Sequence, residues 1–382
     1  MDKRVKVLSI FGTRPEAIKM APLVKELQAR KEEFEAVTAV TAQHRQMLDQ
    51  VLNIFKIRPD YDLNMMMDRQ TLVDVTTRCL TGLDSVIKEA RPDIVLVHGD
   101  TSTAFVASLA AYYNRILVGH VEAGLRTWNK YAPFPEEMNR QLTGVIADLH
   151  FSPTETSARN LLNEGKREES VFITGNTVID ALKTTVQSDY RHRTLDFIGG
   201  DRLILLTAHR RENVGQPMRN MFQAIRTMVM KHPDIQVVYP VHMNPAIRGI
   251  ADEILGNDPR IHLTEPLDVI DFHNFASRAY FIMTDSGGVQ EEAPSLGVPV
   301  LILRETTERP EGIEAGALKL AGTDEETIYR SAEELLTDKR AYEKMAKANN
   351  PFGDGKASAR IADALAYHFH LKKHRPQPFT TG

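Results

Sequence analysis

The sequence predicts an α/β protein made of two Rossmann-like, doubly wound domains that face a central cleft. Short apolar segments typical of buried parallel strands alternate with helical segments along the whole chain. The alternation is interrupted once, at the polar segment 189–201 with its Gly199-Gly200 pair, which is the best candidate for a linker. These observations predict a first domain at residues 1–188 and a second domain at residues 201–356.

The first domain begins with an apolar, β-branched strand at 5–11. Pro15 then suits the first position of a helix that extends to about residue 30. The segment 127–136 is rich in aromatic residues and Pro, which indicates an ordered loop over a site. Further strands are expected at 34–41, 94–97, 116–121, 149–151 and 171–173, and further helices at 42–55, 70–90, 103–113, 136–146, 154–164 and 178–188.

The second domain repeats this pattern, most clearly at 280–312. There an apolar strand at 280–283 turns into a short helix, and a second apolar strand follows at 298–303. The tail at 374–382 is expected to be frayed. Other strands are expected at 203–207, 236–241 and 261–263, and helices at 218–231, 245–255, 269–276, 324–337, 339–348 and 357–372.

The composition is that of an ordinary globular enzyme, with 382 residues, 42% hydrophobic residues and a net charge of −4. This balance gives no indication of nucleic-acid or membrane binding. No signal peptide is visible, because the first apolar run is short and contains Lys6. The single cysteine, Cys79, fits a reducing compartment and favours a buried hydrophobe over a nucleophile. We therefore expect a cytoplasmic protein.

Polar side chains gather at the carboxyl ends of the predicted strands, where open parallel sheets bind their ligands. Asp100 and Glu122 follow two strands of the first domain, and His209 and His242 follow two strands of the second. If the domains face each other, these acids and Glu136 meet the histidines and arginines of the second domain. Such a site combines carboxylates suited to proton transfer with cationic side chains that bind phosphate.

The turn Ser286-Gly287-Gly288 is typical of an anion site. Glycines let backbone N–H groups approach a ligand closely, and a helix N-terminus favours phosphate. Glu292, in the first turns of the helix, could accept both hydroxyls of a ribose. Structural interpretations remain open, since Asp100 could cap the helix behind it and the glycines could end a βαβ unit that binds nothing.

Motifs for a tightly held cofactor are absent from the sequence. There is no G-x-G-x-x-G after a strand, no phosphate-binding P-loop, and no histidine spacing typical of zinc. The charge of a phosphate would then be handled by arginine and backbone N–H groups, so we expect neither a metal nor another cofactor. A nucleotide-sugar, whose diphosphate is a leaving group and not a phosphoryl donor, fits this pattern.

Long motifs lie in order along nearly the whole chain. They are FGTRPEAIKMAPLV at 11–24, TAQHRQML at 41–48, HGDT at 98–101, GHVEAGLRT at 119–127, PFPEEMNR at 133–140, LTAHRREN at 206–213, YPVHMNP at 239–245, TDSGGVQEEAPSLGVPVL at 284–301 and RETTERPEG at 304–312. Together they resemble the bacterial non-hydrolysing UDP-N-acetylglucosamine 2-epimerases, which have the two-domain GT-B fold. The resemblance implies an isomerase that forms a homodimer and whose last helix, at about 357–382, packs back on the first domain.

The resemblance also implies roles for individual residues. Glu292 would bind the ribose of UDP and the Ser-Gly-Gly turn its phosphates. The UDP set is Arg14, His209, Phe272, Ser286, Gly287, Gly288, Glu292 and Arg309. Lys19, Asp100, Glu122 and Glu136 would line the sugar side. A second UDP-GlcNAc would bind beside the active site as an allosteric activator, at Gln43, Gln46, Arg69, Glu136, Arg210 and His242.

The chemistry of the implied substrate narrows the mechanism. The C2 proton of UDP-GlcNAc is not next to a carbonyl, and without NAD a transient oxidation at C3 is not available. The remaining route eliminates UDP to give 2-acetamidoglucal and adds it back to give UDP-ManNAc, which supplies ManNAc for cell-surface polysaccharide. Asp100, Glu122 and Glu136 would exchange the protons, while His209 and the arginines stabilise the departing UDP. A GT-B glycosyltransferase, a hydrolysing epimerase and a non-catalytic UDP-sugar sensor remain as alternatives.

Overall fold

The structure is a computed structural model that describes residues 4–41, 45–65 and 70–381, apart from the side chains of residues 45–47. The chain divides into two compact units. Unit 1 comprises Met1–Lys183 and Phe352–Thr380, and unit 2 contains Thr184–Pro351. Each unit has its own parallel sheet, so the predicted α/β class with two doubly wound domains is confirmed.

Unit 1 is built on a sheet of seven parallel strands in the described part of the chain, ordered β3-β2-β1-β4-β5-β6-β7. The order runs in one direction from β1 to β3 and in the other from β4 to β7, so the sheet has a topological switch point between β1 and β4. The strands are β1 Val5–Phe11, β2 Phe34–Val40, β3 Tyr61–Asp62, β4 Ile94–His98, β5 Leu117–Val121, β6 Leu149–Ser152 and β7 Val171–Ile173.

Helices cover the sheet of unit 1 and bury its apolar strands. Thr13 and Glu16 form a capping box at the start of the first helix, because each side chain accepts the backbone N–H of the other. The helices are α1 Arg14–Ala29, α2 Arg45–Ile54, α3 Leu72–Ala90, α4 Ser102–Tyr113, α5 Glu136–Ile146, α6 Glu155–Asn163 and α7 Thr177–Thr185, the last of which ends at the start of unit 2.

Unit 2 repeats the design with six parallel strands among the residues that the structure describes, ordered β10-β9-β8-β11-β12-β13. Its switch point lies between β8 and β11. The strands are β8 Arg202–Thr207, β9 Ile235–Pro240, β10 Ile261–Thr264, β11 Phe281–Thr284, β12 Val300–Ile302 and β13 Leu318–Leu320. The helices are α8 Arg193–Ile198, α9 Gln216–Lys231, α10 Pro245–Leu255, α11 Val269–Arg278, α12 Gly287–Glu292, α13 Pro310–Glu314, α14 Glu325–Thr337 and α15 Lys339–Ala346.

The chain then returns to unit 1 with α16, Ala357–His368. The buried Asp180 carboxylate accepts the backbone N–H groups of Ala357 (3.1 Å) and Ser358 (2.9 Å), which satisfies two free donors at the start of this helix. The Arg30 guanidinium donates to Asp363 (2.8 Å) and joins α1 to α16.

The tail after α16 is not frayed, so that prediction is wrong. Arg375 donates to the backbone carbonyls of Glu168 and Glu169 at 3.1 Å each. Phe379 is buried, and its N–H donates to the carbonyl of Ile173 at 2.8 Å. The tail is ordered because distant parts of unit 1 provide its partners, which local composition does not reveal.

The segment between the predicted domains also differs from the expectation. Residues 189–201 contain helix α8 and belong to unit 2, and the units divide at Lys183/Thr184 and Pro351/Phe352. His192 caps α8 and Gly199 ends it with a positive φ, so the Gly199-Gly200 pair terminates a helix and does not form a linker. In the described part of the chain, no helix is long and apolar enough to cross a membrane.

Candidate active site

Two of the predicted acids of unit 1 follow the strands β4 and β5, on one side of the switch point. Asp100 comes two residues after β4 and Glu122 comes directly after β5, while Lys19 lies in the second turn of α1, behind β1. Because β1, β4 and β5 are neighbours in the sheet, their carboxyl ends deliver these side chains to one edge. The sequence therefore predicted correctly which strand ends carry the polar groups of unit 1.

Glu122 is the centre of this group. Its Oε2 accepts a hydrogen bond from Asn176 Nδ2 (2.9 Å), contacts the Lys19 ammonium, and lies 3.5 Å from His98 Nε2. The backbone of Glu122 has a φ of +61°, a conformation that is uncommon outside glycine. We call Lys19, His98, Glu122 and Asn176 the Glu122 cluster.

The electrostatics of this cluster keep the Glu122 carboxylate charged. Burial by itself favours the neutral acid, but the charges of Lys19 and His98 and their hydrogen bonds outweigh burial and hold the pKa of Glu122 well below its usual range. Lys19 was expected on the sugar side. His98 and Asn176 were not predicted, although His98 begins the HGDT motif.

A second acid, Glu16, is fully buried beneath this edge and was also missed. One carboxylate oxygen accepts the Thr101 hydroxyl (2.7 Å), and the other accepts the N–H groups of Gly12 (3.1 Å) and Thr13 (2.8 Å). Burial raises the pKa of Glu16, and the hydrogen bonds only partly oppose that shift. The T-x-x-E capping box was the available signal, and it points to a structural role.

Asp100 is held by α5. Arg140 Nη2 donates to the Asp100 carboxylate (2.5 Å), and Asn139 Nδ2 donates to its backbone carbonyl (2.9 Å). The carboxylate of Asp100 therefore does not cap the helix behind it, because Thr101 is the N-cap of α4. Charge-assisted bonds such as the one from Arg140 are stronger than neutral ones and fix the carboxylate in one orientation.

The two neighbouring acids at the start of α5 differ in their surroundings. Glu137 is buried, and its carboxylate accepts the backbone N–H groups of Thr127 (3.0 Å) and Trp128 (3.1 Å), which anchors the aromatic loop that precedes α5. Glu136 is half-buried, and its carboxylate makes no hydrogen bond or ion pair within the described residues. Of the pair, Glu136 is the acid that remains available to a ligand.

The switch point of unit 2 collects a second group. His209 follows β8, and Asp285 and Ser286 follow the neighbouring β11. The Asp285 carboxylate is fully buried and accepts the backbone N–H groups of His209 and Arg210, both at 2.9 Å. Its other oxygen lies 3.2 Å from His209 Nδ1. Asp285 belongs to the TDSGG motif but was not predicted as a site residue.

The Ser286-Gly287-Gly288 turn leads into the short helix α12, as predicted. Arg309 lies against this turn, since a Cβ added to Gly287 would come within 2.7 Å of Arg309 Nη1. Arg309 Nε donates to the buried Glu291 carboxylate (2.7 Å), which orients the guanidinium. A side chain at position 287 would therefore displace the guanidinium from this turn.

Glu292, the expected ribose ligand, is paired with the buried imidazole of His273, whose Nε2 lies 3.3 Å from Oε2. His273 Nδ1 in turn meets the hydroxyl of Thr185 (2.7 Å). Phe272, the neighbour of His273, is half-buried on α11. A carboxylate held by a second residue keeps its orientation when it receives a ligand.

Arginine and acid pairs flank this group. Arg304 donates through two nitrogens to Glu308, at 2.9 and 3.0 Å, and these hydrogen bonds are the main reason that the pKa of Glu308 falls to about 2. Arg14, the first residue of α1 in unit 1, is half-buried. The positive charges that the sequence predicted for unit 2 are present, and part of their charge is balanced by these acids.

The predicted second ligand site is described only in part. Gln43 and Arg69 lie outside the described residues, as does the side chain of Gln46. In unit 2, Arg210 Nε donates to the backbone carbonyl of Asp285 (2.9 Å). The exposed His242 ring is stacked on the His209 ring, with centroids 6.0 Å apart and an interplanar angle of 17°.

Comparisons with known proteins agree with the motifs. The model of a family described as UDP-N-acetylglucosamine 2-epimerase matches residues 25–366. The UDP-N-acetylglucosamine 2-epimerase of Bacillus subtilis is 62% identical over 378 residues, which cover 99% of each chain. A solved structure of S. aureus MnaA with UDP has 55% identity and a TM-score of 0.90, over 98% of this chain and 100% of that chain.

A further structure, of UDP-GlcNAc 2-epimerase from Neisseria meningitidis bound to UDP-GlcNAc, has 47% identity and a TM-score of 0.86. It covers 94% of this chain and 99% of that chain. The likeness to these solved structures includes both α/β units and confirms the expected GT-B fold.

Proposed function

The chain belongs to the UDP-N-acetylglucosamine 2-epimerase family, and we propose that it inverts C2 of UDP-GlcNAc by the non-hydrolysing route. In this route a protein base takes the C2 proton while the C1–O bond breaks and its electron pair leaves with UDP. The products are 2-acetamidoglucal and UDP. UDP oxygen then adds back to C1 and a proton is delivered to the other face of C2, which gives UDP-ManNAc.

The observation that carries this proposal is the pair of acids Asp100 and Glu122, which follow neighbouring strands and are each bound to a cation. Inversion at C2 requires one proton-transfer group on each face of the sugar. Glu122 is held in its charged form by Lys19 and His98, so its carboxylate is free to accept a proton at neutral pH. We therefore assign the proton transfers at C2 to the acids Asp100, Glu122 and Glu136.

Unit 2 supplies the groups for the leaving diphosphate. The Ser-Gly-Gly turn offers backbone N–H groups and Arg309 lies against it, while Glu292 is held by His273 for the ribose hydroxyls. Donors that are fixed before the reaction stabilise developing negative charge without reorganisation. Phe272, Arg14 and His209 complete the proposed set of UDP contacts.

A second UDP-GlcNAc is proposed to activate the enzyme at Gln43, Gln46, Arg69, Glu136, Arg210 and His242. The nearly parallel rings of His242 and His209 support this, because a ligand at His242 would lie next to a residue that is proposed to contact UDP. Initial rates should then rise sigmoidally with UDP-GlcNAc concentration. A His242→Ala enzyme with a hyperbolic curve supports the proposal, and a hyperbolic curve for the unmodified enzyme contradicts it.

We also propose that the chain forms a homodimer and that its product supplies ManNAc units for a cell-surface polysaccharide. Helices α3, α4 and α5 pack side by side in unit 1 and carry large exposed apolar side chains. They include Val73, Tyr112, Tyr113 and Val145, of which Val73 is 73% exposed. Size-exclusion chromatography with light scattering measures the molar mass in solution and so tests the dimer. The mass of a monomer at micromolar protein concentration contradicts this proposal.

One assay tests the reaction. The enzyme is incubated with UDP-GlcNAc alone in D₂O, and the nucleotide-sugars are examined by NMR. We expect UDP-ManNAc and deuterium at C2 of both epimers. Product without deuterium would rule out proton exchange at C2. Release of free ManNAc with UDP would identify the hydrolysing alternative, and turnover only with an added acceptor would identify a GT-B glycosyltransferase.

A further inference from the structure

Asp285 makes a dense set of contacts to the segment that carries His209. It follows β11 directly, and its own N–H donates to the carbonyl of Thr207 (3.1 Å) at the end of β8. Its Oδ2 accepts the N–H groups of His209 and Arg210 and also Asn213 Nδ2 (3.2 Å). A single oxygen of Asp285 therefore anchors the loop after β8.

The other oxygen, Oδ1, is used differently. It is buried and makes no hydrogen bond within the described residues, and Nδ1 of the His209 imidazole lies 3.2 Å from it, within ion-pair distance. A buried carboxylate oxygen without a donor is costly, so we infer that Nδ1 of His209 carries a proton, which a small rotation of the ring brings into line with Oδ1. The second carboxylate oxygen is not needed to anchor the loop, which three donors on Oδ2 already achieve.

This contact determines how His209 can act. With its proton on Nδ1 facing Asp285, the ring directs Nε2 away from the buried carboxylate, and 44% of the side chain is exposed. Nε2 can donate to an anionic phosphate oxygen only when it carries a proton as well, and the carboxylate of Asp285 is then the partner of Nδ1–H on the opposite side of the ring. The ring of His242 lies nearly parallel to this imidazole, with centroids 6.0 Å apart.

We propose that Asp285 is a positioning residue that fixes the tautomer and orientation of His209, so that Nε2 serves the diphosphate of the leaving UDP. The inference rests on the proposed function in so far as UDP is the group that His209 meets. Asp285 itself is fully buried and acts on the substrate only through the imidazole.

The variant Asp285→Asn tests this. Its amide oxygen can accept the three N–H groups that anchor the loop, while its NH₂ group faces His209 Nδ1. That nitrogen must then accept, which moves the ring proton to Nε2. We expect the imidazole ¹⁵N shifts of the unliganded protein to report the Nδ1–H form in the unmodified enzyme and the Nε2–H form in the variant. An Nε2–H form in the unmodified enzyme overturns the proposal.

A double-mutant cycle separates positioning from folding. We expect Asp285→Asn to lower kcat by about tenfold or more, because the variant can place only a neutral Nε2–H donor at the diphosphate and not a charged one. In a His209→Asn background, Asp285→Asn should lower kcat by less than about threefold, because no imidazole remains to be positioned. An equal loss in both backgrounds shows that Asp285 only anchors the loop, and overturns the proposal.

Asn213→Ala is the matched control. It removes one anchor from Oδ2 and leaves the contact to the imidazole. We expect the Nδ1–H form to persist and kcat to fall much less than in Asp285→Asn. A loss as large as that of Asp285→Asn assigns the effect to the loop. Since the tautomer is measured without substrate, a failure of the proposed reaction in the D₂O assay is distinguishable from a failure of this inference.

Discussion

The ammonium of Lys19 contacts the carboxylate of Glu122 although the two residues lie 103 positions apart in the chain. The pair forms because β1 and β5 both flank β4, so the helix after β1 and the turn after β5 reach the same edge of the sheet. His98, at the end of β4, lies between them in sheet order and faces the same carboxylate. The charge state of Glu122 is therefore a property of three strand ends together.

Removing the Lys19 charge should move the acid limb of the pH profile. In Lys19→Met the carboxylate of Glu122 loses its strongest cationic neighbour, so the pKa of Glu122 rises and the ionised form is lost at a higher pH than in the unmodified enzyme. We expect kcat/KM to fall by on the order of 10²-fold at pH 7. The measurement is kcat/KM between pH 4 and pH 9.

Lys25→Met is the control for that prediction, because Lys25 lies on the same helix and is exposed. Its profile should match that of the unmodified enzyme. If Lys19→Met lowers the rate without moving the acid limb, Lys19 contacts the substrate but does not set the charge of Glu122.

Gly124 should not tolerate a side chain. It has a φ of +91°, and an added Cβ would lie 2.1 Å from the backbone carbonyl oxygen of Ser157, which cannot move without shifting α6. Gly165 has a similar φ of +81° but open space around it. We expect Gly165→Ala to cost about 1 kcal/mol from backbone strain alone, and Gly124→Ala about 2–5 kcal/mol.

Urea unfolding of the two alanine variants measures the difference. Because both positions share the left-handed backbone, their difference isolates the steric clash. Equal losses would show that the loop after Glu122 can move away from α6.

His120 should make the stability of unit 1 depend on pH. Its ring is fully buried and its Nε2–H donates to the Gly99 carbonyl (2.7 Å); burial, together with the nearby His150 and Arg126, lowers the pKa of His120 to about 3. Below about pH 6.5, His120 binds a proton in the unfolded chain, whereas in the folded chain it binds one only near pH 3. The free energy of unfolding therefore falls as the pH falls through this window.

The measurement compares the unmodified protein with His120→Gln, whose amide can still donate to Gly99. Between pH 7 and pH 5 the unmodified protein should lose about 2 kcal/mol more than the variant. His374→Gln, at an exposed position, should keep the full pH dependence. An identical slope in all three proteins would mean that His120 becomes protonated without unfolding.

Arg309 should be sensitive even to replacement by lysine. Its Nε is bound to the buried Glu291 while Nη1 lies against Gly287, an arrangement that a single ammonium cannot reproduce. We expect Arg309→Lys to raise the Kd for UDP by about tenfold or more, measured by calorimetry.

Arg219→Lys is the corresponding control, since the Arg219 guanidinium is bound through two nitrogens to the exposed Glu253, at 2.8 and 2.7 Å. It should leave UDP binding unchanged. If the two variants bind UDP equally well, Arg309 does not contact the nucleotide.

Local patterns were sufficient for most of the fold. Each strand of a parallel sheet is an apolar run and each helix an amphipathic one, so their positions are visible in the sequence. Short elements were missed, among them β13 at Leu318–Leu320 and α13 at Pro310–Glu314. An element of three to five residues is too short to display the hydrophobic periodicity of a strand or a helix. The tail was misjudged because the partners of Arg375 and Phe379 lie about 200 residues earlier in the chain.

By itself, the sequence determined the fold class, the order of the motifs and the strand ends at which polar side chains appear. Only the tertiary structure decided which partner each charged group has: Lys19 for Glu122, Arg140 for Asp100, and Asp285 for His209. The reason is physical. An ion pair or hydrogen bond requires atoms within about 3–4 Å, and that distance is set by the crossovers and register of the sheet, which no local pattern contains.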